Sequence, residues 1–450
     1  MPESPLHRPA PLAGLTAAPG AVLPVILGPV GPAVQGRRLK VEPASAQPVG
    51  ESNVQLSTFD GFSHNAPVKR APKHRRPGPR ERRLLRPAIA GLEPYVPGRS
   101  IEEVAAERGI APDRIVKLGS NENPLGASPR ALAALAAAGP QLHLYPDATA
   151  RDLREGLERW WRRRVDLGAA RIVAGNGMDN VLDTLARLLL QPGDTVIVCP
   201  PTFSWYELSA RLAGAEPIFV PRRKRDLRVD VHAVLGAVRP STRIIYLCTP
   251  NNPSGDTLTR AEVEALARGT DCLLFLDEAY ADFADRTFMA EAGRRRHVVV
   301  GRTFSKAWGL AGLRIGYAAL PDWLAPAYLK AATPFVVSRA ATSAALAALD
   351  DDEHLARTLA MVRTGRDRYA RELPRLGLRT CPSAANFVAV RTAPRSAAEV
   401  CAALAAEGVI VRDCTSFSGA GDDLVRITVG TDEQNSRVLD ALARLFPPRA

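Results

Sequence analysis

From about residue 87 onward, apolar positions fall into short blocks of two alternating kinds. Residues 152–164 place Leu153, Leu157, Trp160 and Trp161 on one side of a helical period, and 180–190 do the same with Val181, Leu182, Leu185, Leu188 and Leu189. Pro192, Gly193 and Asp194 end the second pattern, and the apolar run 195–199 follows as a buried strand. Runs at 243–248, 272–276 and 297–301 read the same way, with a helical segment at 260–268 among them. Strands that are apolar throughout and alternate with helices predict an α/β fold, a mostly parallel sheet with helices on both faces. After about Ser338 the pattern changes to long Ala/Leu helices, two short strands at 387–390 and 425–429, and a last helix. That change predicts a smaller α+β C-terminal domain.

Residues 1–86 show neither period. They are rich in Pro, Ala and Arg and turn basic at 69–77, so an unstructured tail is expected. The resulting division is a tail over 1–86, an N-terminal arm and joining segment over 87–145, a large domain over 146–335 and a small domain over 336–450. The chain carries a net charge of +12, of which +8 falls in residues 1–90. The remaining +4 is ordinary for a soluble enzyme, so the basic charge is mostly a property of the tail, and the tail shows no amphipathic helices from which a DNA-binding domain could be built. No apolar run approaches the ~20 residues of a membrane span. Six scattered cysteines without a CxxC pair support neither a disulfide framework nor a zinc site, and point to a reducing cytoplasm.

Three predicted strands end in polar clusters. The 243–248 run leads into Thr249, Asn251, Asn252 and Ser254, the 272–276 run into Asp277, Glu278 and Tyr280, and the 297–301 run into Thr303, Ser305 and Lys306. In an open α/β sheet, ligands bind beyond the carboxyl ends of the strands, so three clusters on one edge outline a site. A lysine flanked by two hydroxyls, with Arg314 eight residues on, suits a Schiff base beside a bound phosphate, the chemistry of pyridoxal 5′-phosphate. Asp277 is placed to hold a proton on the pyridine nitrogen, Tyr280 and Asn252 to hold the ring oxygen. Lys306 is the candidate base for proton transfer. Gly177, Met178 and Asp179 lie in a glycine loop leading into a helix, whose amides suit a phosphate. Phe203 could stack on the ring.

The ordered set SNENPLG (120–126), YPD (145–147), GNGMDN (175–180), CPPTFSWY (199–206), TPNNPSG (249–255), DEAY (277–280) and TFSKAWGLAGLRIGY (303–317) resembles the fold-type-I pyridoxal-phosphate aminotransferases, most of all their histidinol-phosphate subfamily. The resemblance runs from about Gly91 to the C-terminus. It implies a homodimer in which Tyr145 reaches the cofactor phosphate of the partner subunit, while Thr303, Ser305 and Arg314 hold that phosphate at home. It implies that Arg426 binds the α-carboxylate of an amino donor and that Arg412 and Tyr95 meet the phosphate of histidinol phosphate. The expected reaction passes an amine from a small-molecule amino donor to a 2-oxo acid acceptor in histidine biosynthesis. Two features depart from the pattern or fit other relatives equally. Asn180 stands where a carboxylate is usual, and 333–338 is as close to aromatic aminotransferases. Aromatic or other amino-acid aminotransferases are therefore the alternative, with a threonine-phosphate decarboxylase of the same fold behind them.

Overall fold

The computed structural model of the chain describes residues 96–447, together with residues 83–86, 89 and 92. The tail expected over 1–86 lies outside these residues except for 83–86, and so does Tyr95.

The period-2 geometry of strands sorts the large core into two layers. Ile172, Ile197, Ile245, Leu274, Leu276, Val298 and Val300 pack on one face with Leu153, Leu157 and the two tryptophans of the helix Arg151–Arg162. Their strand neighbours Val173, Val196, Val198, Ile244, Phe275 and Val299 pack on the other, against Val181, Leu182 and Leu185 of the helix Gly177–Leu189. Both faces are thus dry, which is why the strands read as apolar runs rather than alternating ones.

Thirteen strands are described and are numbered along the chain. β1 is Val116–Lys117, β2 Arg171–Asn176, β3 Thr195–Val198, β4 Glu216–Phe219, β5 Thr242–Cys248, β6 Leu273–Asp277 and β7 Val298–Thr303. β8 is Ile315–Leu320, β9 Arg379–Cys381, β10 Phe387–Arg391, β11 Val409–Ile410, β12 Arg412–Asp413 and β13 Leu424–Thr428. The large sheet has the order β2-β8-β7-β6-β5-β3-β4. All its strands run one way except β8, which is antiparallel to both β2 and β7. Sequence periodicity did not anticipate β8. Its reversal matters, because the residue before its first position, Arg314, is thereby brought to the edge where the parallel strands end.

The smaller sheet is richer than the two strands expected, with the order β12-β13-β10-β9 and a separate parallel pair of β1 with β11. Strands of two or three residues leave too short a pattern to detect. The C-terminal helix Asp432–Leu445 is capped reciprocally by Thr431 and Gln434 and buries Val438, Leu439 and Leu442 against this sheet. The helix Arg339–Leu349, in the segment assigned to the small domain, packs Ala341, Ala344, Ala345 and Ala348 into the large core, carrying that core past position 335. Among the described residues, no helix is long and apolar enough to cross a membrane, and no cluster of His, Cys, Asp and Glu could hold a metal ion.

Candidate active site

The carboxyl ends of β5, β6 and β7 lie side by side, with Cys248 opposite Asp277 and Asp277 opposite Gly301. The chain leaves each strand still paired: the Thr249 amide donates to the Asp277 carbonyl and the Glu278 amide to that of Gly301, both at 2.8 Å. The three polar clusters therefore meet in one cavity of ≈ 170 Å³. Met178, Asp179, Phe203, Asn252, Asp277, Tyr280, Thr303, Ser305, Lys306 and Arg314 all line it.

Lys306 points its Nζ at the Ser120 carbonyl, 3.2 Å away, and lies 5.7 Å from the centre of the Tyr280 ring. Burial pushes its ammonium down to about 8, helped by the positive charges of Arg426 and Arg314 and opposed by Glu122 and Asp179. Asp277 is 3% exposed. Its Oδ2 accepts from the Tyr206 hydroxyl at 2.6 Å and its Oδ1 from the Ala279 amide at 2.9 Å. Burial raises its pKa to about 6, and those two donors hold it back from going further.

Tyr280, pushed up by burial, accepts at its hydroxyl oxygen from Asn121 Nδ2 at 3.1 Å. Asn252 accepts through Oδ1 from Arg426, whose other terminal nitrogen donates to the Gly119 carbonyl at 2.7 Å. At the opposite corner, Thr303 and Ser305 hydroxyls are 3.0 Å apart and Arg314 reaches Asp179 at 3.2 Å. Gly177 backs this corner rather than lining it. Its φ is +77°, and a Cβ there would come within 2.6 Å of Arg314 Nη2. Asn180, where the family pattern has a carboxylate, turns its Oδ1 to the Asn176 amide at 3.3 Å.

Three expected residues stand apart. Tyr145 is 80% exposed on the surface, against Phe335 with ring centres 5.0 Å apart. Arg412 is buried outside the cavity, donating to the Val96 carbonyl at 2.8 Å and Ser416 at 3.2 Å. Tyr95 lies outside the described residues. Arg412 is nevertheless the direct cross-strand partner of Arg426. Opposed residues of antiparallel strands share a sheet face, so both arginine side chains leave β12 and β13 on the same side, Arg426 to reach Asn252 at the cavity and Arg412 to reach Val96 and Ser416.

Residues not singled out beforehand also take part. Tyr206 holds Asp277, and Asn121 holds Tyr280. Both stood within recognised motifs, but their partners are 71 and 159 positions away, so no local pattern marks them. The reverse holds for Glu278: it turns away from the cavity into a buried ion network with Arg302, which also pairs with Asp282.

The donor set is that of a particular kind of ligand. Two hydroxyls and a guanidinium at one end suit a phosphate, a buried carboxylate suits a protonated ring nitrogen, and a weakly basic lysine amine suits an aldehyde. The missing Cβ at Gly177 leaves room for the Arg314 guanidinium that would meet the first of these.

Comparison with known proteins agrees. A histidinol-phosphate aminotransferase of Methanosarcina mazei is 49% identical over 361 residues, spanning 80% of this chain and 96% of that protein. One of Methanococcoides burtonii is 45% identical over 80% of this chain and 98% of its own. The crystal structure of the histidinol-phosphate aminotransferase of Sinorhizobium meliloti, in complex with pyridoxal 5′-phosphate, superposes with a TM-score of 0.71 at 29% identity, covering 80% of this chain and 97% of that one. The profile of the family "Aminotransferase class I and II" matches residues 113–442, and the chain belongs to that family.

Proposed function

We propose that the protein is a pyridoxal-phosphate aminotransferase that exchanges amine between glutamate and imidazole acetol phosphate, yielding histidinol phosphate and 2-oxoglutarate. The observation that carries the substrate choice is the Arg426–Arg412 pair. An amino donor held by its carboxylate or polar head at Arg426 would present a second anion, phosphate or side-chain carboxylate, to Arg412. One pair of forks then serves both substrates, each with an anionic group at its far end. An aromatic amino acid would leave Arg412 without a counter-ion.

When bound, the cofactor supplies an electrophilic carbon and a ring that accepts electrons. Lys306 would hold its aldehyde, Asp277 its ring nitrogen, Tyr280 and Asn252 its ring oxygen, Phe203 its face, and Thr303, Ser305, Arg314 and the amides of Met178 and Asp179 its phosphate. Lys306, with its pKa lowered to about 8, can take up or release a proton at Nζ near neutral pH and so serves as base for the substrate α-proton. Asp277, opposed by the Tyr206 hydroxyl and the Ala279 amide, keeps a negative charge in a dry site above pH ~6. Tyr145 would complete the phosphate site of a second copy. The exposed Leu142, Leu144, Tyr145 and Phe335 supply apolar surface for such a dimer.

The deciding measurement follows the absorbance of the cofactor-loaded protein as single amino donors are added. Conversion to the amine form by histidinol phosphate and by glutamate, but not by phenylalanine, is expected. Arg412→Gln should raise the concentration of histidinol phosphate required by at least tenfold. Faster conversion by phenylalanine, unaffected by Arg412→Gln, refutes the substrate assignment.

A further inference from the structure

Behind Tyr280 lies a closed chain of hydrogen bonds through Asn121 and Thr428. Asn121 adopts a left-handed backbone, φ +55°, which asparagine tolerates better than most residues. Its amide donates to Thr428 Oγ1 at 2.9 Å, and Asn386 Nδ2 donates to its carbonyl at 3.0 Å. The Thr428 hydroxyl in turn donates to Asn121 Oδ1 at 3.0 Å, and Asn121 Nδ2 donates to the Tyr280 oxygen at 3.1 Å. Asn121 is 1% exposed and Thr428 2%.

The direction of each bond follows from the one before it. A backbone N–H can only donate, so the Asn121 amide makes Thr428 an acceptor there. The threonine proton is then free for Asn121 Oδ1. Turning the side-chain amide over would leave that buried hydroxyl proton without its acceptor, at a cost of about 1–3 kcal/mol. With Oδ1 so engaged, Nδ2 faces Tyr280 as a donor, and the phenol proton is directed elsewhere. The remaining side of the hydroxyl is the cavity.

We infer that Thr428 and Asn121 are positioning residues whose hydrogen-bond relay fixes Tyr280 as a donor into the cavity. Burial, which keeps the phenol protonated, agrees with this role. Thr428 sits two positions beyond Arg426 on β13, hence on the same face. The strand carrying the substrate arginine thus also sets the polarity of the tyrosine that would hold the cofactor's ring oxygen. The inference rests on the proposed cofactor site for its spectroscopic readout, but not for its second test.

In the protein loaded with pyridoxal phosphate, the pH midpoint of the bound cofactor's visible absorbance should rise on Thr428→Val. Losing a donor makes the ring oxygen more basic and tightens its hold on the neighbouring nitrogen's proton. A shift of about one pH unit corresponds to one hydrogen bond. Thr428→Ser should restore the wild-type midpoint. Asn121→Asp, which accepts from Tyr280 but cannot donate to it, should move the midpoint the same way as Thr428→Val. A wild-type midpoint in Thr428→Val or Asn121→Asp, or an equal shift in Thr428→Ser, overturns the relay. If wild-type protein shows no titrating absorbance with pyridoxal phosphate, it is the cofactor reading that fails. The relay is then read in the cofactor-free protein by urea unfolding of Thr428→Val, Tyr280→Phe and the double variant. Non-additive losses are expected, since the two side chains meet only through Asn121, and strict additivity overturns the relay.

Discussion

Lys306 should be a weak base before any cofactor arrives. Its ammonium is buried and lies in the field of Arg426 and Arg314, which outweigh Glu122 and Asp179 and leave its pKa at about 8. Because the shift is downward, the neutral amine is gained as pH rises through about 8 instead of above 10. At pH 7 that makes about one molecule in ten reactive, against roughly one in three thousand for a lysine of ordinary basicity. The consequence is a difference of about two orders of magnitude in the rate of aldehyde capture at neutral pH, since only the neutral amine attacks. Competitive labelling of cofactor-free protein with trace acetic anhydride, followed by mass spectrometry of the Lys306 peptide, reads this directly, with the exposed Lys330 as reference for the reagent. The labelling curve for Lys306 should inflect near pH 8. Arg426→Gln removes the second-largest cause and should move the inflection upward while leaving burial in place. An inflection above pH 10 in the wild-type protein would refute the reasoning, and one that ignores Arg426→Gln would leave burial as the sole cause.

Two further outcomes test the surroundings. Tyr206→Phe removes the hydroxyl donor at 2.6 Å from Asp277, so the carboxylate pKa, already raised to about 6 by burial, should rise further. Because the anion is lost as pH falls, pyridoxal-phosphate affinity measured by fluorescence titration should drop about tenfold near pH 6.5 and recover at higher pH; an unchanged affinity–pH profile would show that Tyr206 does not hold the charge. Arg302→Met strands Glu278 and Asp282 as buried carboxylates. Urea unfolding should show a loss of about 3–5 kcal/mol while the folded protein keeps its cofactor affinity. Loss of affinity without loss of stability would instead place that network in the site.

What was legible in the sequence divides along a physical line. The strands β3, β5, β6 and β7 showed themselves because both faces of the sheet are dry, so every position had to be apolar. Their end clusters could be joined because parallel strands bring their carboxyl ends to one edge, and the observed register does so at Cys248, Asp277 and Gly301. β8 is buried at every position too, but its Gly316, Ala318 and Ala319 leave it without the β-branched signature of its neighbours, so it escaped. The short β9, β11 and β12 escaped because two or three residues carry no period.

The same line runs through the site. A residue that faces a ligand must supply one of a few chemistries, so lysine, aspartate and tyrosine at strand ends narrow the possibilities sharply. A residue that orients another side chain needs only a donor or acceptor in the right place, and many residue types at many positions meet that need. Asn121, Thr428 and Tyr206 are of this second kind. Each acts on a partner more than 70 positions away, so each becomes visible only when the fold closes the distance. Arg412 lies between the two kinds. As an isolated strand arginine it suggests a surface ion pair, but opposite Arg426 on β13 it stands where the proposed substrate reading needs a second anion-binding fork. The resemblance named Arg412 by position alone; the pairing register supplies the physical ground on which its proposed role in substrate choice rests.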